Sequence, residues 1–214
     1  MTRRVVLATR NQHKVTELRR ILHSAGVDVE LVGTDEFPDL PDVDETGSTF
    51  AANALLKAND VARRTGLVAI ADDSGLCVDA LNGMPGILSA RWAGEHGNDR
   101  ANLDLVLAQI SDVPDNRRGA AFHCAAAAAT PDGDERVVEG VLEGALIREP
   151  RGTNGFGYDP IFTPRGYVLT TAELTPAEKD AISHRGQAFR ALVPVLRDLL
   201  SDTTPDLPDD RGWN

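Results

Sequence analysis

Cysteine is scarce in this chain. Cys77 and Cys124 are the only two, each inside an apolar stretch, and there is no CxxC or Cys/His cluster. That argues against a disulfide framework and a zinc site, and points to buried, reduced thiols in a cytoplasmic protein. Long apolar runs are missing too. Nothing approaches the ~20 residues needed to span a bilayer, and the opening Met1-Thr2-Arg3-Arg4-Val5-Val6-Leu7-Ala8 turns polar too soon for a signal peptide. Positive charge is in deficit, with a net charge of −11. A nucleic-acid groove needs a basic face, so nucleic acid and membrane are both poor partners. The acidity still permits a small phosphate ligand, because a few local lysines and a metal reverse the field inside one cleft.

What remains is ordinary globular composition, 42% hydrophobic and 26% charged over 214 residues, enough to bury a sizeable core. The organisation expected is one domain over residues 1–200, with 201–214 as a frayed tail of acids and prolines. Residues 4–8 read as a strand. A helix follows from about His13 to Ala25, with Val15, Leu18, Leu22 and Ala25 on its apolar face. Lys14 in its first turn lies at the positive end of the helix dipole, the wrong end for a cation unless an anion binds there. A surface pairing with Glu17 is the plain alternative. A second helix runs from about Thr49 to Arg64, buried along Phe50, Ala54, Ala58 and Val61. Asn53 and Lys57 share another of its stripes, read by default as solvated. Asn98 caps a third helix reaching about Ile110. Residues 119–130 and 136–147 read as a β-hairpin, with one solvated face marked by Val137, Glu139, Val141 and Glu143.

The stretch that carries chemistry is Leu67-Val68-Ala69-Ile70-Ala71-Asp72-Asp73-Ser74-Gly75. An apolar run suited to a buried strand gives way to two adjacent carboxylates, so Asp72–Gly75 reads as the join between two strands or a strand and its bulged continuation. Carboxylates at a strand end sit on the rim of a sheet, where open α/β folds place ligands. Side by side they repel each other unless a metal, a lysine or water offsets them. Downstream, the glycines of Gly155-Phe156-Gly157-Tyr158-Asp159-Pro160 let the backbone approach a ligand, and two aromatics offer a flat surface. Thr175-Pro176-Ala177-Glu178 is a capping box. The helix it starts carries His184 and Arg185, donors suited to a purine edge or a phosphate.

Taken in order, Thr9-Arg10-Asn11-Gln12-His13-Lys14, Glu45-Thr46-Gly47-Ser48-Thr49-Phe50, Ala71-Asp72-Asp73-Ser74-Gly75-Leu76, Gly155-Phe156-Gly157-Tyr158-Asp159-Pro160 and Ser183-His184-Arg185-Gly186-Gln187 resemble the motifs of the Ham1 family, the inosine triphosphate pyrophosphatases. The resemblance covers Val5 to about Leu196. It implies an α/β fold with an elongated mixed sheet flanked by helices, two lobes and a central cleft. It also implies a homodimer that splits ITP, dITP and XTP into monophosphate and pyrophosphate with Mg²⁺. By motif position, Thr9, Arg10, Asn11, Gln12, His13 and Lys14 would bind the triphosphate. Asp73 would be the catalytic carboxylate and a metal ligand, and Ser74 would touch substrate. Phe156, Gly157, Tyr158, Asp159, Lys179, His184 and Arg185 would surround base and sugar. Arg10 and Asn154 stand where the family often has glycine. Asp44 stands where it has glutamate, with Glu45 beside it, so either could be the second metal ligand. The rival readings are a Maf-like pyrophosphatase acting on other modified nucleotides and a nucleotide-binding regulator that no longer hydrolyses.

Overall fold

Residues 3–10 and 12–202 are described in the structure, a computed structural model. Six strands form one mixed sheet in the order β2-β1-β3-β4-β5-β6. The parallel half consists of β1 (Arg3–Leu7), β2 (Val29–Gly33) and β3 (Val68–Val78). The antiparallel half adds β4 (Gly119–Ala129), β5 (Glu135–Leu146) and β6 (Phe162–Pro164). The helices are α1 (Gln12–Ser24), α2 (Phe50–Thr65), α3 (Asp99–Gln109), α4 (Pro176–Ile182) and α5 (His184–Asp202). The α/β class and mixed sheet are therefore those the sequence predicts. Among the described residues no helix is long and apolar enough to cross a membrane.

The alternation of side chains along a strand sorts the core into two layers. Val68 and Ile70 of β3, with Cys124, Ala126 and Ala128 of β4, meet α1 and α5 through Leu18, Phe189 and Leu192. Ala69 and Ala71, with Ala125, Ala127 and Ala129, face α2 through Ala54, Ala58 and Val61. This explains the alanine run in β4: helices cover both of its faces, and small side chains let them close on the sheet. A third cluster at the far end of β3 and β4 gathers Leu76, Val78, Phe122 and Phe162 with Leu103, Val106 and Ile110.

One expectation is corrected. The carboxylates do not end a strand: β3 runs unbroken through them, with Asp72 opposite Ala126, Asp73 opposite Ala125 and Ser74 opposite Cys124 on β4. What ends is the neighbour. Pairing of β1 with β3 stops at Leu7 opposite Ile70, followed by a single bond from Ala8 N–H to the Ile70 carbonyl at 2.7 Å. The crevice beyond a strand's carboxyl end thus belongs to β1, and the acids of β3 line it.

Two further differences concern the last helices. The helix starting at the Thr175 capping box stops at Ile182, and Ser183 takes extended backbone before α5 begins at His184. Residues 201 and 202, expected in the tail, still belong to α5, and residues 203–214 lie outside the described residues. The first turn of α5 lies directly on β5, where a Cβ at Gly140 would stand 2.1 Å from the His184 carbonyl oxygen and 2.7 Å from the Ala188 nitrogen. Glycine is required there for the helix to reach the sheet. On the opposite side of β5, Glu139, Val141 and Glu143 are exposed as expected, whereas Val137 is half-buried against the α2 layer.

Candidate active site

Because successive side chains of β3 point to opposite faces, Asp72 and Asp73 enter different environments. Asp72 shares its face with α1 and α5. Its Oδ2 receives Lys14 Nζ at 2.9 Å and Arg185 Nε at 3.2 Å. Arg185 also donates from Nη1 to Glu17 Oε2 at 3.1 Å and from Nη2 to Ser74 Oγ at 2.8 Å. Asp72, Glu17 and Arg185 are all buried. Lys14 therefore serves Asp72, while Glu17 serves Arg185, so the surface Lys14–Glu17 pairing does not form. Burial alone would raise the Asp72 pKa, but Lys14, Arg185 and Lys57 outweigh it and hold the carboxyl far below the usual carboxylate range. A permanent anion of that kind is a structural hub and a poor proton acceptor.

Asp73 faces α2. Its Oδ2 accepts from Asn53 Nδ2 at 3.0 Å, and its Oδ1 from the Ser74 N–H at 2.9 Å. Burial pushes its pKa up. Lys57 and the Asn53 bond offset this only in part, and the nearby Glu45 charge adds to it. Asn53 is fully buried, and its Oδ1 accepts from Gly47 N–H at 2.8 Å. A Cβ at Gly47 would stand 2.7 Å from that oxygen, so the loop before α2 docks only as glycine. Lys57 Nζ reaches Glu45 Oε1 at 2.6 Å and the Asp72 carbonyl at 2.7 Å. The default reading of Asn53 and Lys57 as solvated is thus overturned, because both project into the interior beneath β3. Of the two candidate second ligands, Glu45 is half-buried and Asp44 exposed. Burial would raise Glu45, but Lys57 holds its carboxyl below the usual range, with Lys14 and Arg91 adding to the pull.

Two connected cavities share these residues. One is a mainly apolar chamber walled by Leu76, Phe122, Phe156 and Tyr158, with Lys179, His184 and Arg185 among its polar groups. The other is a larger groove lined by Thr9, Arg10, Lys14, Lys57 and Arg91, together with Asp44, Glu45 and Asp73. His184 is buried, its ring stacked on Phe122 at 4.9 Å and 11°, and its Nδ1 has no hydrogen-bond partner among the described residues. Asp159 is turned inward. Its Oδ2 accepts from the Phe156 N–H at 2.8 Å and pairs with Lys179, and its Oδ1 accepts from Thr171 Oγ1 at 2.8 Å. Lys179 and Arg185 both lie over the Phe156 ring, at 5.1 and 5.5 Å. Tyr158 is buried and donates to the Ser89 carbonyl at 2.8 Å, anchoring the loop rather than presenting a free face. Arg10 is largely exposed and tied to Asp42 at 2.9 Å and the Leu40 carbonyl at 3.0 Å. Asn11 and the side chains of Gln12 and His13 lie outside the described residues.

Nothing local in the sequence marked Arg91; Glu17 was expected only as a surface partner of Lys14, and Asn53 and Lys57 as solvated. One signal could have recovered Lys57. Of 22 lysines and arginines the chain has only three lysines, Lys14, Lys57 and Lys179. All three line the two cavities.

A charged groove opening into an apolar chamber, beside the carboxyl end of a strand in a mixed α/β sheet, defines a nucleotide-handling cleft. The chain belongs to the Ham1 family, whose sequence model matches residues 5–195. It is 67% identical over 197 residues to a dITP/XTP pyrophosphatase of Streptomyces coelicolor, covering 92% of this chain and 98% of that protein. A dITP/XTP pyrophosphatase of Mycobacteroides abscessus is 58% identical over 199 residues, with 92% and 97% covered. Among solved structures, a HAM1 protein from Coxiella burnetii superposes with a TM-score of 0.84 at 44% identity, covering 92% of this chain and all of that one. The Staphylococcus aureus Ham1 protein gives 0.82 at 39% identity, with the same coverage.

Proposed function

We propose that this protein hydrolyses deaminated purine nucleoside triphosphates, dITP, XTP and ITP, to the monophosphate and pyrophosphate, and so clears them from the nucleotide pool. The observation that carries this reading is the division of labour across β3. Asp72 is locked in a cationic hub, and Asp73 beside it is buried, pushed up in pKa and facing the groove. A general base needs access to the water it activates, and Asp73, unlike Asp72, opens on the groove. In the proposed reaction a water attacks the α-phosphorus, Asp73 takes its proton, and the α–β bridge breaks to release pyrophosphate. Lys14, Lys57 and Arg91 supply fixed positive potential along the triphosphate, where preorganised charge stabilises transferring phosphoryl groups.

A divalent cation fits this donor set. Asp73 and Glu45 are oxygen ligands near enough for the Glu45 charge to raise the Asp73 pKa, and Asp44 lines the same groove. Among the described residues no group of three or more acidic, His or Cys side chains forms a cage. Mg²⁺ characteristically takes one or two carboxylates, retains waters and completes its shell with substrate phosphates. We assign Asp73 and Glu45 to it, in preference to Asp44, because Glu45 is oriented inward by Lys57. When bound, Mg²⁺ would neutralise phosphate charge and lower the pKa of a coordinated water.

For the base, the sequence offered His184 and Arg185 as donors suited to a purine edge. Arg185 gives one N–H from each nitrogen to Asp72, Glu17 and Ser74 and retains two more, and His184 lines the same chamber. A donor of this kind would be satisfied by a keto group and left unpaired by the adenine amino group, which disfavours ATP. Phe156 would stack on the base, with Lys179 and Arg185 behind it. The two unpaired thiols, Cys77 half-buried and Cys124 buried, favour a reducing, cytoplasmic setting. The family resemblance favours a homodimer. The assay is direct: pure protein with Mg²⁺ and ITP, dITP, XTP, ATP, GTP or TTP, followed by quantitation of monophosphate and pyrophosphate. Release of orthophosphate, or equal rates with ATP and dITP, would refute the proposal.

A further inference from the structure

The chamber and the groove have five lining residues in common: Ser74, Ala90, Asp99, Phe156 and Arg185. These form the neck between them. A nucleotide with its base in the chamber and its phosphates in the groove must thread its pentose through this neck. Ala90 and Phe156 bring no polar side-chain group. Arg185, which donates to Asp72, Glu17 and Ser74, can offer a sugar only further donors, and Ser74 Oγ, which accepts from Arg185, is a neutral acceptor. Asp99 is the one carboxylate of the neck. It opens α3, is exposed to the cleft, and accepts from Gly157 N–H through Oδ2 at 2.8 Å, reaching across 58 residues of chain. Its Oδ1 has no hydrogen bond assigned among the described residues.

We infer that Asp99 is a substrate-positioning residue that accepts a hydrogen bond from a pentose hydroxyl while holding the Phe156–Gly157 wall against the base. The inference rests on the proposed nucleotide reading and adds to it the group that recognises the sugar. Hydroxyls donate, and a charged acceptor makes roughly twice as strong a hydrogen bond as a neutral one. The charge also gives the cleft a direction. Phosphates are disfavoured beside the carboxylate at the neck and favoured beside Lys14, Lys57 and Arg91 in the groove.

The test compares wild type, Asp99→Ala and Asp99→Asn on three substrates: ITP, dITP and 2′,3′-dideoxyinosine triphosphate. The expectation is that Asp99→Ala lowers kcat/KM by about tenfold or more on substrates bearing the recognised hydroxyl, and leaves the dideoxy substrate near its wild-type value. A loss on dITP assigns the 3′-hydroxyl, and a loss on ITP alone assigns the 2′-hydroxyl. Asp99→Asn keeps an acceptor for Gly157 N–H without the charge, and should fall between wild type and alanine with the same substrate dependence. An equal loss on all three substrates would reduce Asp99 to a brace for the Gly157 loop and overturn the proposal, as would no loss on any. If wild type released no pyrophosphate from dITP or ITP, the functional reading itself would fail, an outcome separate from these.

Discussion

Adjacent aspartates on a strand are placed apart by the pleat. Asp72 and Asp73 are neighbours in sequence, yet the carboxylate of one is held from α1 and α5 and that of the other from α2, so they share no direct side-chain partner. That separation predicts unequal consequences for loss of charge. Asp73→Asn should lower kcat on dITP by about 10²–10⁴, the usual worth of a general base, while its melting temperature stays near wild type. Near-normal turnover by that variant would place the base elsewhere. Asp72 is a different case, because removing its charge strands Lys14 and Arg185 without their shared partner, a disruption of folding before it is one of chemistry.

At the scale of elements, the site depends on helices pressed directly onto strands. Gly140 is where the first turn of α5 touches β5, and that turn carries both His184 and Arg185. Gly140→Ala would force the His184 carbonyl and the Ala188 nitrogen outward. Overpacking of this kind costs about 1–3 kcal/mol, measurable by urea denaturation. Because the displaced turn holds His184 and Arg185, KM for dITP should rise as well. A variant that loses stability with KM unchanged would separate the α5 contact from substrate binding. Gly140 carried no signal in the sequence, since a glycine inside a strand is consistent with a bulge, a bend or a close approach, and only the position of α5 selects the last.

Over the whole molecule, two solution properties follow. His184 is buried, and burial, reinforced by the charges of Arg185 and Lys179, pushes its pKa well below the ordinary imidazole value. The unfolded chain binds a proton at this residue below about pH 6.5 while the folded chain does not. More protons are bound in the unfolded state, so stability rises with pH; the contribution is present above the unfolded pKa and is lost as pH falls through it. The melting temperature should therefore decline between pH 7 and pH 5, and His184→Asn should flatten the decline even if it lowers the starting value. An equally steep decline in that variant would trace it to other groups. The second property concerns the metal. No all-protein cage exists among the described residues, so EDTA should abolish pyrophosphate release yet leave the melting transition in place, and Mg²⁺ should restore activity. A large loss of melting temperature on chelation would reveal a structural metal instead.

Much of the fold was legible along the chain because periodicity and capping are local. The stripes Val15-Leu18-Leu22 and Ala54-Ala58-Val61, the Asn98 cap and the Thr175 capping box define four helices by contacts within a few residues, and all four form. The motifs also marked where chemistry would gather. What the chain alone left open was which side of the sheet each polar group faces and what it meets there. Whether Lys14 paired with Glu17 or reached Asp72, whether Lys57 was solvated, and whether Glu45 or Asp44 turned inward depend on residues 12 to 168 positions apart in the chain. Those meetings are set by strand register and by helices closing over both faces of β3. Local sequence carries no record of them, because the free energy that decides each one comes from burial among partners that only the assembled sheet brings together.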